Sequence, residues 1–454
     1  MITTHYTRAA STLAAAGLAI ALALPAHAKL TDAEAAKLGA DLTPIGAEKA
    51  GNQDGTIPAW SGGLTSPPSG WTAAQGYVDP FPNDNVKFTI SAANAEQYKD
   101  KLTPGTLAML KKYDNFKMPV YETRRTAAYP QSVYDAARAQ ATKVELAGFG
   151  VNNIGNTTVP FPIPKNGLEA IWNHTLRYLG GGVDRNYNSF PVRANGDFYK
   201  IGVREFRIFN ANLDQPQDNL LLGFLSYFTA PATLEGTVFL VHEPVDQVKQ
   251  QRAAWIYNAG QRRVRRAPDL NYDNINDGTE GMRTTDQFDA YNGAPDRYDW
   301  KLVGKQEVYI PYNSYKLSSK KLKYKEDIIR KNTVNSDLMR YELHRCWVVE
   351  ANLKANSKHI YAKRVFYLDE DSWTVVYEDA YDTRKQLWRV SMHPIIQFYD
   401  AKVPWYRANI WHDLSNSSYL LSLLDNEVKT PWLFGQKAKW ADFQPDALRR
   451  AGTK

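Results

Sequence analysis

Four arginines crowd into one short run, Arg262, Arg263, Arg265 and Arg266. A guanidinium presents a rigid fork of donors that can grip a carboxylate or phosphate through two hydrogen bonds, so the run is a candidate head-group site. Read as a strand, Arg262 and Arg266 share a face with Val264, while Arg263 and Arg265 take the other. The alternative for the same residues is lacing to Asp and Glu of neighbouring strands. The run follows Ala253 to Tyr257 across the turn Asn258-Ala259-Gly260, and the aromatic residues of that partner strand would hold the acyl or ring portion of a bound molecule. A second candidate is the stretch from Asp269 to Glu280, whose oxygen donors fall at positions 1, 3, 5, 9 and 12 of a calcium loop. Its sixth position is Asn274 where a calcium loop needs Gly, and no helices flank it, so a hydrogen-bonded surface loop is the competing reading.

Catalytic signatures do not appear in the sequence. There is no G-x-S-x-G elbow, phosphate-cradling loop, H-E-x-x-H pair or C-x-x-C pair, and Gly148-Phe149-Gly150 lacks the third glycine of a dinucleotide loop. His242-Glu243 and His412-Asp413 are neighbours on strands and so point to opposite faces; surface or capping roles are expected for them. Asp369, Glu370 and Asp371 could serve an envelope hydrolase, but their spacing reads as a hairpin turn. The single cysteine, Cys346, lies between Arg345 and Trp347 in a strand-like run, the setting of a buried small hydrophobe. One cysteine allows no intrachain disulfide. The sequence therefore predicts no enzyme, no metal and no cofactor.

The elements that must position these residues change character along the chain. Up to about residue 165, turns such as Ser66-Pro67-Pro68-Ser69-Gly70 and Asp79-Pro80 alternate with helical patterns at 92–101, 104–112 with Thr103 as N-cap, and 131–146. A helix over 168–179 ends at Gly180-Gly181-Gly182. Beyond it the period becomes two, and strands are predicted at 183–193, 198–209, 220–228, 237–242, 253–257, 261–266, 299–310, 342–353, 359–368, 374–381 and 387–398. Short connectors require antiparallel pairing of consecutive strands. No repeat of fixed period suggests a propeller or solenoid. The expected domains are an irregular, partly helical wrapping segment over 29–165, a sheet domain over 166–414, and a C-terminal segment over 415–454 packed back on the body.

Several strands, such as 220–225, are apolar on both faces, so the sheet is covered twice or curls around something. A curled sheet wider than its own side chains leaves room for an apolar ligand. Aromatic residues on these strands, Phe224, Phe228, Phe239, Trp255, Tyr257, Trp347, Phe366 and Trp388, are the candidate cavity lining.

The chain has 454 residues, 43% hydrophobic and 23% charged, with a formal charge of +7. Such values fit a globular protein rather than a disordered or polytopic membrane one. The positive balance favours anionic surfaces, and nucleic-acid motifs do not appear. Arg8, an apolar run from Leu13 to Leu24 and Pro25-Ala26-His27-Ala28 form a secretory leader with an A-x-A cleavage site. Cleavage after Ala28 would leave a periplasmic protein, and with Cys346 as the only cysteine no lipid anchor is expected.

The run from Ala254-Trp255-Ile256-Tyr257 to Arg262 and on through Val264-Arg265-Arg266-Ala267-Pro268 resembles the signature strand pair of the exported outer-membrane lipoprotein-sorting-like superfamily. Asp286-Gln287-Phe288-Asp289, Arg345 to Ala351, Arg364 to Trp373 and the Asp54 to Trp60 segment resemble a longer branch, a proteobacterial periplasmic domain-of-unknown-function family. The resemblance implies an α+β fold, mostly antiparallel β: an incomplete, half-open β-barrel with helices on its concave side around a hydrophobic cavity. It implies a non-catalytic carrier or chaperone for a lipid or other hydrophobic molecule, accessory to a resistance-nodulation-division exporter and an outer-membrane β-barrel protein. The chain is more than twice the length of the short carriers, and its added N-terminal segment bears on whether a lipoprotein is the cargo. The alternative is an adaptor whose cavity is filled by its own side chains and which docks the outer-membrane barrel.

Overall fold

The computed structural model describes residues 29–267, 272–275 and 278–451. The expected leader, and Asp269, Asn271, Asn276 and Asp277 of the expected calcium loop, lie outside the described residues.

The N-terminal segment contributes α1 (Asp32–Ala35), β1 (Phe88–Ile90), α2 (Pro104–Lys112), β2 (Met118–Val120), α3 (Gln131–Gln140), β3 (Glu145–Ala147) and β4 (Gly150–Asn152), and α4 (Gly167–Leu176) follows it. A meander follows: β5 (Gly182–Val192), β6 (Ile201–Phe209), β7 (Leu220–Ala230), β8 (Val238–Pro244), β9 (Ala253–Asn258) and β10 (Arg263–Arg266). The second run is β11 (Tyr298–Pro311), β12 (Tyr341–Leu353), β13 (Lys363–Asp369), β14 (Val375–Tyr381) and β15 (Leu387–Met392). After the hairpin β16 (Ile395–Phe398) and β17 (Val403–Tyr406) come β18 (Asn409–Asp413), β19 (Ser418–Leu424), β20 (Leu433–Phe434) and α5 (Pro445–Ala451).

The main sheet runs β11-β12-β13-β14-β15-β18-β19-β5-β6-β7-β8-β9-β10, antiparallel at every step. Its end strands β10 and β11 do not pair with each other among the described residues, so the barrel stays incomplete. The fold is α+β and mostly antiparallel, and β19 is the join: it pairs with β18 on one side and β5 on the other. This strand falls in the expected C-terminal segment over 415–454, where Leu420, Leu421, Leu423 and Leu424 show no alternation. Both faces of β19 are buried, which removes the polar half of the pattern. The expected strand over 387–398 breaks at His393-Pro394, and the expected helix over 131–146 stops at Gln140.

The two faces of the sheet carry different covers. On the β6 to β10 half, the outer face holds Ile208, Leu225, Leu240 and Tyr257 against Phe443 and Leu448 of the C-terminal segment. The inner face receives the segment from Gly278 to Asn292. Helix α4 lies on that inner side, since His174 Nε2 bonds the Asp289 carbonyl at 3.0 Å and Arg177 pairs with the Asp289 carboxylate at 2.9 Å. Asn166 caps α4 by accepting from the Glu169 amide. Ile45, Ile57, Ile90 and Phe161 of the N-terminal segment belong to the same hydrophobic core as the sheet.

Helix α2 meets the opposite face at β14. Thr103 caps it, and a second acceptor comes from the sheet: the Gly105 amide donates to Asp379 Oδ2 at 2.9 Å and Thr103 Oγ1 to Oδ1 at 3.4 Å. Gly105 is required there, because a Cβ would sit 2.0 Å from Asp379 Oδ1. Burial pushes the Asp379 carboxyl up to about 7, against the lowering effect of those two donors. The folded state thus holds this proton more tightly than the unfolded chain does. Its contribution to stability is full below the ordinary carboxylate range and is lost as pH rises through about 7. Asp379→Asn keeps an acceptor and removes the titration, so its stability relative to wild type should rise by a few kcal/mol between pH 4 and pH 8. Urea unfolding midpoints at the two pH values read this directly, and a pH-independent difference would refute it.

Candidate functional site

Strand register decides which side chains share the inner face. Val203 of β6 opposes Tyr187 of β5 and Phe228 of β7; Glu205 opposes Arg185 and Ser226; Arg207 opposes Val183 and Phe224. Ser226 in turn opposes Phe239 of β8, and Phe239 opposes Ile256 of β9. Directly paired residues point to the same side, so these rows form one surface. Between it and the segment 278–288 lies a cavity of about 400 Å³, lined among others by Val203, Leu222, Phe224, Phe228, Phe239 and Ile256. That volume falls in the range of small-molecule sites, which are mainly apolar with a few placed polar groups.

The inner wall is held by a polar spine that the sequence spells as Asp286-Gln287-Phe288-Asp289. Asp286 accepts from Arg364 at 2.7 Å and bonds His359 at 3.1 Å, while Gln287 donates to Glu378 at 2.8 Å. Burial alone would raise the Asp286 carboxyl, but Arg364 and His359 outweigh it and hold it well below the usual carboxylate range. Phe288 stacks edge-on to Phe224 at 5.2 Å and lies under the Arg207 guanidinium at 4.8 Å. Asp289 accepts from Trp405 Nε1 at 2.8 Å and pairs with Arg177, and it too is held low against burial by Arg177 and Arg207. The spine supplies acids to a sheet face that carries arginines.

Three charged side chains line the cavity itself: Glu243, Arg252 and Arg283. Arg252 Nε donates to Glu243 Oε2 at 2.7 Å, and Asn292 Nδ2 donates to the same oxygen at 3.1 Å. Burial raises the Glu243 carboxyl, with Arg252 opposing the shift. Arg283 has the rings of Trp411 and Phe288 beside it, at 5.3 and 5.8 Å, and lies within electrostatic reach of Tyr187 and Glu205 without forming an ion pair among the described residues.

Of the aromatic candidates, Phe224, Phe228 and Phe239 line the cavity. Trp255 and Tyr257 lie on the outer face with the C-terminal segment, Trp255 against His242 at 4.8 Å. Trp347 stacks on Trp373, Phe366 packs among Tyr291 and Trp300, and Trp388 bonds Asp413 and carries Arg389 over its ring; these three lie away from the cavity. Among the arginines, Arg262 occupies the turn with φ of 52°, so the strand begins at Arg263. All four are exposed and form no ion pair among the described residues. Arg265 opposes Ile256, which places Arg263 and Arg265 on the inner-face side of edge strand β10 and Arg266 on the outer side. His242 and Glu243 do point to opposite faces, but Glu243 is buried rather than at the surface, as are His412 and Asp413. Cys346 is buried, with burial pushing its thiol well up. Asp369 to Asp371 form the β13–β14 turn, as expected, yet the turn is buried, and Arg125 clasps Asp371 through two nitrogens.

A family model described as "Protein of unknown function (DUF1329)" matches residues 89–449. The "Uncharacterized protein PA3922" of Pseudomonas aeruginosa is 49% identical over 441 residues, covering 95% of this chain and 96% of that protein. Among solved structures, a putative outer membrane lipoprotein-sorting protein domain from Vibrio parahaemolyticus aligns at 14% identity over 60% of this chain and 94% of that one, with a TM-score of 0.43. A DUF1329 family protein from Desulfovibrio piger aligns at 16% identity over 59% and 92%, with a TM-score of 0.39.

Proposed function

This chain belongs to the DUF1329 family, and from that premise we propose that it is a non-catalytic, exported carrier or chaperone for a lipid or other hydrophobic molecule held on the inner face of its half-barrel. The observation that carries this reading is the apolar cavity of about 400 Å³ between β5 to β9 and the segment 278–288. Burial at about 25 cal/mol per Å² of apolar area would supply the affinity, with Phe224, Phe228 and Phe239 as the aromatic wall. The leader pattern up to Ala28 supports a periplasmic site of action. No helix among the described residues is long and apolar enough to cross a membrane. Hand-over to or from an envelope exporter completes the proposal.

The exposed arginines of edge strand β10 support a second reading, an adaptor that docks an outer-membrane β-barrel protein through that edge. The two separate by titration with an environment-sensitive hydrophobic dye. The carrier reading expects saturable binding of one dye per chain, competed by single-chain lipids. Absence of saturable binding would overturn it and leave the adaptor.

A further inference from the structure

We propose that the molecule held in this cavity is a single-chain amphiphile with an anionic oxygen head group, carboxylate or phosphate, that docks on Arg283. The inference rests on the carrier reading and narrows its ligand class.

Charge on the cavity side is not balanced. Arg252 and Glu243 neutralise each other, and Glu205 is shared by Arg185 and Arg207. Asp289 is taken by Arg177, with Arg207 4.0 Å away. Arg283 is left as a lining guanidinium with no hydrogen bond or ion pair among the described residues, and its Nε is enclosed without an acceptor. Removing a guanidinium from water without a partner costs free energy that an incoming oxyanion would recover. Its ring neighbours Trp411 and Phe288, 5.3 and 5.8 Å away, offer no oxygen acceptor, so its donors remain available for a forked hydrogen bond. The polar head at Arg283 and the apolar wall at Val203, Leu222, Phe224 and Phe239 line the same cavity, which is the arrangement an amphiphile needs.

The test compares ligands of one chain length: dodecanoate, dodecyl phosphate, dodecanol and dodecyltrimethylammonium, each displacing the dye from the wild-type chain below its micellar concentration. The acids should bind about ten- to a hundredfold more tightly than the alcohol, and the ammonium more weakly still. Carboxylate against phosphate reads which head group is preferred. In Arg283→Met the advantage of the acids should vanish while dodecanol binds as before; Arg283→Lys should retain part of it. Equal affinity of acid and alcohol for the wild type, or a preference that survives Arg283→Met, would overturn the assignment and leave the carrier reading standing. Failure of all four ligands would overturn both. The wild-type comparison decides the matter even if the variants fold poorly.

Discussion

Asp286→Ala is expected to lower the stability of the fold by about 3–5 kcal/mol, because it removes one of the two anions that neutralise a buried cation. Arg364 is fully buried and has two anions, Asp286 at 2.7 Å and Glu378 at 2.5 Å. Losing Asp286 also removes the carboxylate partner of His359 and the shorter of the two acceptors of the Thr284 hydroxyl. The segment that Asp286 anchors carries Thr285 and Phe288 into the cavity lining, so the damage should spread from stability to ligand uptake. Asp286→Asn should cost less, since an amide oxygen still accepts a hydrogen bond. Adding Arg364→Met to Asp286→Ala should deepen the loss rather than recover it, because Glu378 would then be buried without its cation. Urea unfolding midpoints of the three variants test the set. A loss within about 0.5 kcal/mol for Asp286→Ala would refute the spine as a structural anchor.

The second large effect is on binding. Ser226 lies on the inner face between Glu205 and Phe239 and lines the cavity. In Ser226→Trp a large side chain would project into that space, whereas Leu225 and Tyr227, packed on the outer face, are untouched. Affinity for a hydrophobic ligand should fall at least tenfold, about 1.4 kcal/mol or more, with little change in the unfolding midpoint. Filling an existing void avoids the strain of overpacking a dense core. Docking of a partner through the arginines of β10 would be unaffected, so the variant separates carrier from adaptor. Unchanged affinity would place the ligand elsewhere.

Much of the fold is legible in the sequence where one face of an element is wet. The β5–β6 hairpin around Asn195-Gly196, the meander to β10 and the capped helix α2 follow from alternation, turn residues and capping. Legibility fails where both faces are buried. The four leucines of β19 carry no period, yet this strand joins the two halves of the sheet. The cavity was legible as a consequence of a curled sheet, but its lining was not. Phe224, Phe228 and Trp255 all lie on apolar strands, and only cross-strand register places the first two inward and the last outward. Glu243 showed as half of a His-acid pair, without its Arg252 partner. Nothing marks Arg283 in the polar loop, because its lack of a partner is a property of tertiary packing. The Asp286 to Asp289 stretch carried a family resemblance, and its role as the acid supply for Arg364, Arg177 and Arg207 appears only when those strands are brought together.

The claim that the half-barrel holds a hydrophobic molecule is tested most directly by native mass spectrometry of the chain recovered gently from the periplasm, beside Ser226→Trp prepared in the same way. The account predicts a stoichiometric added mass on the wild type, released by organic solvent and missing from the variant. A wild-type chain at its bare mass that also takes up no added lipid, or an added mass that persists in Ser226→Trp, would contradict it.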